Sequence, residues 1–103
     1  MNIETVHFSE FGDYLGTQKL AIQAREQIAF LWDDSQHIIC NFDDVHGITR
    51  AFADEAFGKL FTEKGSKEYV DKIRFHNQNP LVHTIIKYTL YQRYERMQGG
   101  WSL

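Results

Sequence analysis

Gln36-His37-Ile38-Ile39-Cys40-Asn41-Phe42 runs into Asp43-Asp44-Val45-His46-Gly47-Ile48-Thr49-Arg50, and residues 51–64 follow. The first run is apolar at its centre and too brief for a stable helix, which predicts a buried strand over 36–42. In the third stretch Phe52, Ala53, Ala56, Phe57, Leu60 and Phe61 share one helical face, which predicts a helix over 51–64. The eight residues between them hold most of the polar chemistry of the chain. In an open α/β sheet, ligands and partners dock at the loop leaving the C-terminal end of a strand. Function is therefore sought first in residues 43–50.

Outward from this centre, Thr5, Val6 and Phe8 suit a pleated surface and predict a strand over 3–8. Two glycines make 9–16 a loop with room for a short extra strand, and Thr17 is placed to cap the next helix. Leu20, Ala24, Ile28 and Leu31 recur at helical spacing and carry that helix to residue 30 or 31, with a turn over 32–35. Gly65 closes the central helix. Alternation over 69–76 predicts a third strand, although only half of it is plainly apolar. Asn79-Pro80 starts a last helix whose apolar stripe is Leu81, Val82, Ile85, Ile86 and Thr89, running to about Met97 and stopping at Gly99-Gly100. Trp101 beyond it is expected either to fold back or to serve as an exposed contact. Strands alternating with helices give an α/β domain over 1–103: a mixed, partly parallel sheet of about four strands packed with three helices.

With 103 residues, 43% of them hydrophobic and 15% aromatic, the chain can build one core rather than remain disordered. Its formal charge of −3 gives no global attraction to nucleic acid or anionic lipid. The lone Cys40 cannot form an internal disulfide and reads as a reduced core thiol. The N-terminus lacks the basic start and apolar run of a secretory signal, and no apolar run is long enough to span a membrane. A soluble, cytoplasmic protein is expected.

Asp54 and Glu55 fall in the first turn of the helix expected over 51–64, where carboxylates favour the helix dipole and can equally form an acidic patch for a partner. Glu55 is four residues before Lys59, the favourable order for an exposed pair. At about 100° per residue, Gly58 lies on the polar side with Asp54; a close approach by another backbone would offset the penalty of a helical glycine, and simple tolerance or close internal packing accounts for it equally well. Asp54 and Gly58 are thus expected to line a docking surface. Asp43 and Asp44 suit a turn held by side-chain bonds to the backbone. With His46 they also form the nearest approach to a metal-dependent phosphoryl-transfer cluster, but the sequence offers no paired lysine or further Asp motif to complete one. The five histidines show no zinc-ligand spacing, and neither a phosphate loop nor a serine-nucleophile motif is present. Lys87, Arg93 and Arg96 interleave with Tyr88, Tyr91 and Tyr94, a composition that can bind single strands. Dipole complementation and tyrosines covering a core edge explain it as well, so no nucleic-acid partner is expected.

The segment Ile48-Thr49-Arg50-Ala51-Phe52-Ala53-Asp54-Glu55-Ala56-Phe57-Gly58-Lys59-Leu60 resembles the STAS-like domain family of unknown function, whose members are similar to bacterial anti-sigma factor antagonists. Phe42-Asp43-Asp44-Val45 fits the same pattern, and Gly16, Leu20-Ala21 and Arg25-Glu26 fit its first helix more loosely, so the resemblance extends over nearly the whole chain. It implies a small STAS-type α/β fold and a non-enzymatic regulatory role, with a protein partner that is a histidine-kinase-like ATPase. In true antagonists a serine at the start of this helix is phosphorylated. Here Thr49-Arg50-Ala51 stands there, and Thr49 is the one hydroxyl between Asp43 and Phe61 and so the candidate phosphoacceptor. Phosphate on Thr49 would be repelled by Asp54 and Glu55 unless Arg50 offset it. The expected partner-binding and regulatory residues are Asp43, Asp44, His46, Thr49, Arg50, Asp54, Glu55 and Gly58, with no cofactor and no metal. A nucleotide-binding STAS domain and a metal-dependent phosphoryl-transfer enzyme are the alternatives, and self-association stays open.

Overall fold

The computed structural model describes residues 2–98. Strands β1 (Ile3–His7), β3 (His37–Asn41) and β5 (Ile73–His76) form a parallel sheet in the order β1-β3-β5. Its register sets Val6 beside Cys40 and Cys40 beside Phe75. Pleating sends alternate residues to opposite faces. Val6, Ile38, Cys40 and Ile73 are buried on one face, whereas Thr5 is exposed and Ile39 and Arg74 are half-buried on the other. Burial also pushes the Cys40 thiol far above its usual range, which keeps it protonated and inert at neutral pH.

The loop after β1 does hold a short strand, β2 (Tyr14–Leu15), which pairs in parallel with β4 (Gly47–Ile48). β4 lies inside the stretch expected to be all loop. Every strand pairing among the described residues is parallel, and the strands fall into two sheets rather than one.

Helix α1 (Gln18–Leu31) buries Ala21, Ala24 and Ile28. Thr17 stands at its N-cap in extended conformation, but its hydroxyl makes no capping bond. The central helix is one rod of three parts: α2 (Arg50–Ala53), a π-helical turn (Asp54–Gly58) and α3 (Lys59–Lys64). Gly65, at φ 89°, ends it. Phe57, in the π turn, packs against Phe8, Phe42 and Phe75, with ring centroids 5.1, 6.0 and 5.3 Å away, and so seats the rod on the ends of all three strands of the larger sheet.

The strand expected over 69–76 is half helix. Residues up to 72 belong to α4 (Ser66–Lys72), and only β5 is extended. Tyr69 is the buried residue of α4, and Ile73, buried as well, is already the first residue of β5. The Tyr69 ring packs on Trp32 and Phe61, while Lys72 donates to the Trp32 and Ser35 carbonyls at 2.6 and 2.8 Å. Those contacts fold the segment back on the turn after α1.

Helix α5 (Pro80–Met97) begins as expected. Asn79 Oδ1 accepts from the Val82 N–H at 2.8 Å, and Pro80 opens the first turn. Val82, Ile86 and Thr89 are buried, but Leu81, expected in the apolar stripe, is 58% exposed. Gly99-Gly100 and Trp101 lie outside the described residues. No helix among the described residues is long and apolar enough to cross a membrane.

Candidate functional site

Residues 43–50 leave the C-terminal end of β3 and form a surface fixed at several points. Phe42 N–H donates to the His76 carbonyl at 2.9 Å, and Val45 N–H closes a four-residue turn on the Phe42 carbonyl at 3.1 Å. Asp44 takes the left-handed conformation there (φ 65°), which aspartate tolerates better than most residues. The Asp43 N–H is satisfied by Asn41 Oδ1 at 2.9 Å, and that oxygen also accepts from Asn77 Nδ2 at 3.2 Å. The expected bonding of this turn by the Asp carboxylates is thus corrected: Asn41 does it. Neither Asp43 nor Asp44 makes a side-chain hydrogen bond among the described residues, and both are exposed.

Further along, His46 N–H donates to the Asp13 carbonyl at 2.7 Å and Thr49 N–H to that of Leu15 at 2.9 Å. Asn79 Nδ2 donates to the His46 carbonyl at 3.1 Å, so one side chain both caps α5 and holds the loop. A Cβ at Gly47 would stand 2.5 Å from Tyr14 Cε2, so any larger residue there would have to displace the exposed Tyr14 ring. Val45, Gly47 and Ile48 are buried, while Asp43, Asp44, His46 and Arg50 are exposed. The ordered loop thus sets apolar anchors against the core and leaves its polar residues at the surface.

Thr49 is the N-cap of the central helix. Its Oγ1 accepts from Phe52 N–H at 3.0 Å, filling one of the donors a helix start leaves open. Arg50 turns away from the loop toward α5, where its guanidinium lies 4.6 Å over the Tyr88 ring and donates to Gln92 Oε1.

Asp54 and Glu55 are not in the first turn, as expected, because the helix begins at Arg50. They open the π turn and point to opposite neighbours. Asp54 accepts two bonds from Arg93 of α5, at 2.8 and 2.7 Å. Glu55 is buried and accepts from Arg25 of α1, while Lys59 Nζ lies 2.9 Å from its other oxygen. The pair with Lys59 forms as expected, but Glu55 is not an exposed patch. Hydrogen bonding from Arg93 holds the Asp54 carboxyl below its usual range against partial burial. Burial pushes Glu55 up, and Lys59 and Arg25 more than offset it, leaving that carboxyl lowered too.

Gly58 corrects a second expectation, since it is buried rather than on an open polar side. A Cβ there would meet Asp54 Oδ1 at 2.5 Å and Arg93 Nε at 3.2 Å. The close approach comes from the internal Asp54–Arg93 pair, not from a partner backbone. Of the eight expected site residues, the structure thus presents Asp43, Asp44, His46 and Arg50 on the surface, with Thr49 half-buried at their edge. Asp54, Glu55 and Gly58 join a separate set of contacts that bind the rod to α1 and α5. Arg25, Arg93 and Asn79 were not read as organisers of this region, and nothing local in the sequence pairs them with partners about thirty residues away.

A cavity of about 650 Å³ lies at the opposite end of β3, between Gln36, Gly65, Lys72 and Met97. Among the described residues, no three potential metal ligands cluster. Compared with known proteins, residues 21–83 match the STAS-like domain of unknown function (DUF4325), from α1 to the first turn of α5, a shorter span than the near-complete cover expected. No curated protein and no solved structure matches the chain. With well over half of its length matched, the chain belongs to the family of STAS-like domains of unknown function.

Proposed function

We propose that this domain is a non-enzymatic regulatory module, acting in the cytoplasm, that docks a protein partner through residues 43–50. The observation that carries this reading is the loop itself. Three exposed polar side chains, Asp43, Asp44 and His46, stand on a backbone tied to β2, β5 and the start of α5, with Arg50 exposed at their edge but laid against α5. A surface ordered before binding loses less conformational entropy on association. It also lies at the strand end where open α/β sheets bind. The partner suggested by the STAS-like resemblance is a histidine-kinase-like ATPase, with Thr49 as the regulated residue.

Phosphate on Thr49 would add about two negative charges at the edge of this surface. Repulsion by Asp54 and Glu55 no longer supplies the switch, because Arg93, Arg25 and Lys59 already offset both carboxylates. The switch acts instead on the partner's side, by changing the charge of the surface it meets. Calorimetric titration with a histidine-kinase-like ATPase tests the reading. Joint replacement of Asp43 and Asp44 by Ala should weaken binding about tenfold or more, while Lys67→Ala, at the far cavity, should not. Unchanged affinity in the double variant would refute loop docking.

A second reading, a small anionic ligand such as a nucleotide, has one observation behind it: Lys64, Lys67 and Lys72 outnumber Glu68 and Asp71 around the large cavity, with Lys64 and Lys72 over the Trp32 ring. A nucleotide thermal shift abolished by Lys67→Glu would favour it.

A further inference from the structure

Residues 76–79, where β5 passes into α5, grip the loop of residues 43–50 on both of its sides. On one side the His76 carbonyl accepts from Phe42 N–H at 2.9 Å. Asn77, in the left-handed conformation (φ 63°), donates through Nδ2 to Asn41 Oδ1 at 3.2 Å, the same oxygen that accepts from Asp43 N–H. On the other side Asn79 donates through Nδ2 to the His46 carbonyl at 3.1 Å, and His46 N–H donates to the Asp13 carbonyl at 2.7 Å. The backbone of His46 is therefore fastened at both of its peptide groups, although the residue is exposed.

The orientation of the Asn79 amide follows from the helix it caps. Val82 N–H can only donate, so the atom 2.8 Å from it has to be the amide oxygen, which turns the NH2 group the other way. Pro80 confines the residue before it to extended backbone, and Asn79 is found there, at φ −70° and ψ 168°. Cap and proline together aim one neutral donor at the loop. Serine, threonine and aspartate are also good helix caps, yet none of them joins the capping oxygen to an amide donor. Asparagine at this position therefore supplies something that capping alone does not need.

We propose that Asn79, which is half-buried, is a positioning residue of the docking loop. It touches no partner itself and sets partner affinity through His46, whose backbone it holds. This rests on the reading of residues 43–50 as the docking surface. Calorimetric titration with the histidine-kinase-like ATPase, alongside chemical denaturation of each variant, separates the two. Asn79→Ser keeps a capping oxygen but no amide, so it should stay folded with nearly the original denaturation midpoint. Its binding should weaken about fivefold, the worth of one lost hydrogen bond. Asn79→Asp also caps, and at high salt, where its added charge is screened, it should weaken binding to the same extent. In a His46→Ala background Asn79→Ser should change affinity by less than about twofold, because the residue it acts through is gone. Full affinity in Asn79→Ser overturns the proposal. If joint replacement of Asp43 and Asp44 weakens binding in the same series, loop docking outlives that result; if it does not, both fall. An equal loss from Asn79→Ser with and without the His46 side chain overturns the proposal as well, since Asn79 would then act by another route.

Discussion

Thr49 and Gly58 are single residues whose roles can be separated by substitution. Thr49→Ala removes the acceptor for the Phe52 N–H and should cost about 1 kcal/mol in chemical denaturation. Thr49→Ser keeps the oxygen and should recover most of it. At Gly58 two effects oppose each other. Alanine favours a helix over glycine by about 1 kcal/mol, but its Cβ would displace the Asp54 carboxylate from Arg93. Gly58→Ala alone should therefore change stability little. In an Asp54→Ala background the obstruction is gone, and the same change should stabilise by about 1 kcal/mol. Equal effects in both backgrounds would show that the Asp54 carboxylate does not decide what Gly58 tolerates. The sequence displayed the anomaly, a glycine inside an apolar helix four residues after an aspartate, but not its cause. The cause is Arg93, thirty-nine residues away.

At the scale of elements, the π turn is held from both sides by Asp54–Arg93 and Glu55–Arg25, and the two ties differ in weight. The Asp54 side chain is 42% exposed and that of Glu55 only 8%. Arg93→Met should thus cost no more than about 1 kcal/mol, whereas Arg25→Met, which strips a charged bond from a buried carboxylate, should cost about 2 kcal/mol. Both carboxyls titrate lower in the folded chain, so the unfolded chain holds more protons between the folded and ordinary values. Their stabilisation is complete above about pH 4.5, the higher of the two ordinary values, and is lost as pH falls through the lowered ones. Denaturation midpoints measured downward from pH 6 should decline below that point, and less steeply in an Asp54→Asn, Glu55→Gln double variant. Elements with strong local patterns were legible in advance: β1, α1, β3, the central helix and α5, whose Asn79-Pro80 start is a local signal. The short ones were not. β4 exists because β2 offers it a parallel edge, and α4 because Tyr69 finds Trp32 and Phe61, and both causes are long-range.

For the molecule as a whole, the larger sheet is parallel yet buries mainly one face, with the helical rod seated on its strand ends through Phe57. That arrangement puts the loop of residues 43–50 at one end of β3 and the large cavity at the other. The loop could be located from the sequence, because Asp43, Asp44 and His46 follow an apolar strand. Its rigidity could not, because Asp13, Leu15, His76 and Asn79 come from other parts of the chain. The account rests on that loop being the docking surface. Amide chemical-shift mapping of the labelled domain, titrated with a histidine-kinase-like ATPase, addresses it directly. The account predicts that the largest shifts fall on residues 43–50 and the first turn of the central helix. Shifts concentrated around Lys64, Lys67 and Lys72, with the loop unmoved, would contradict it.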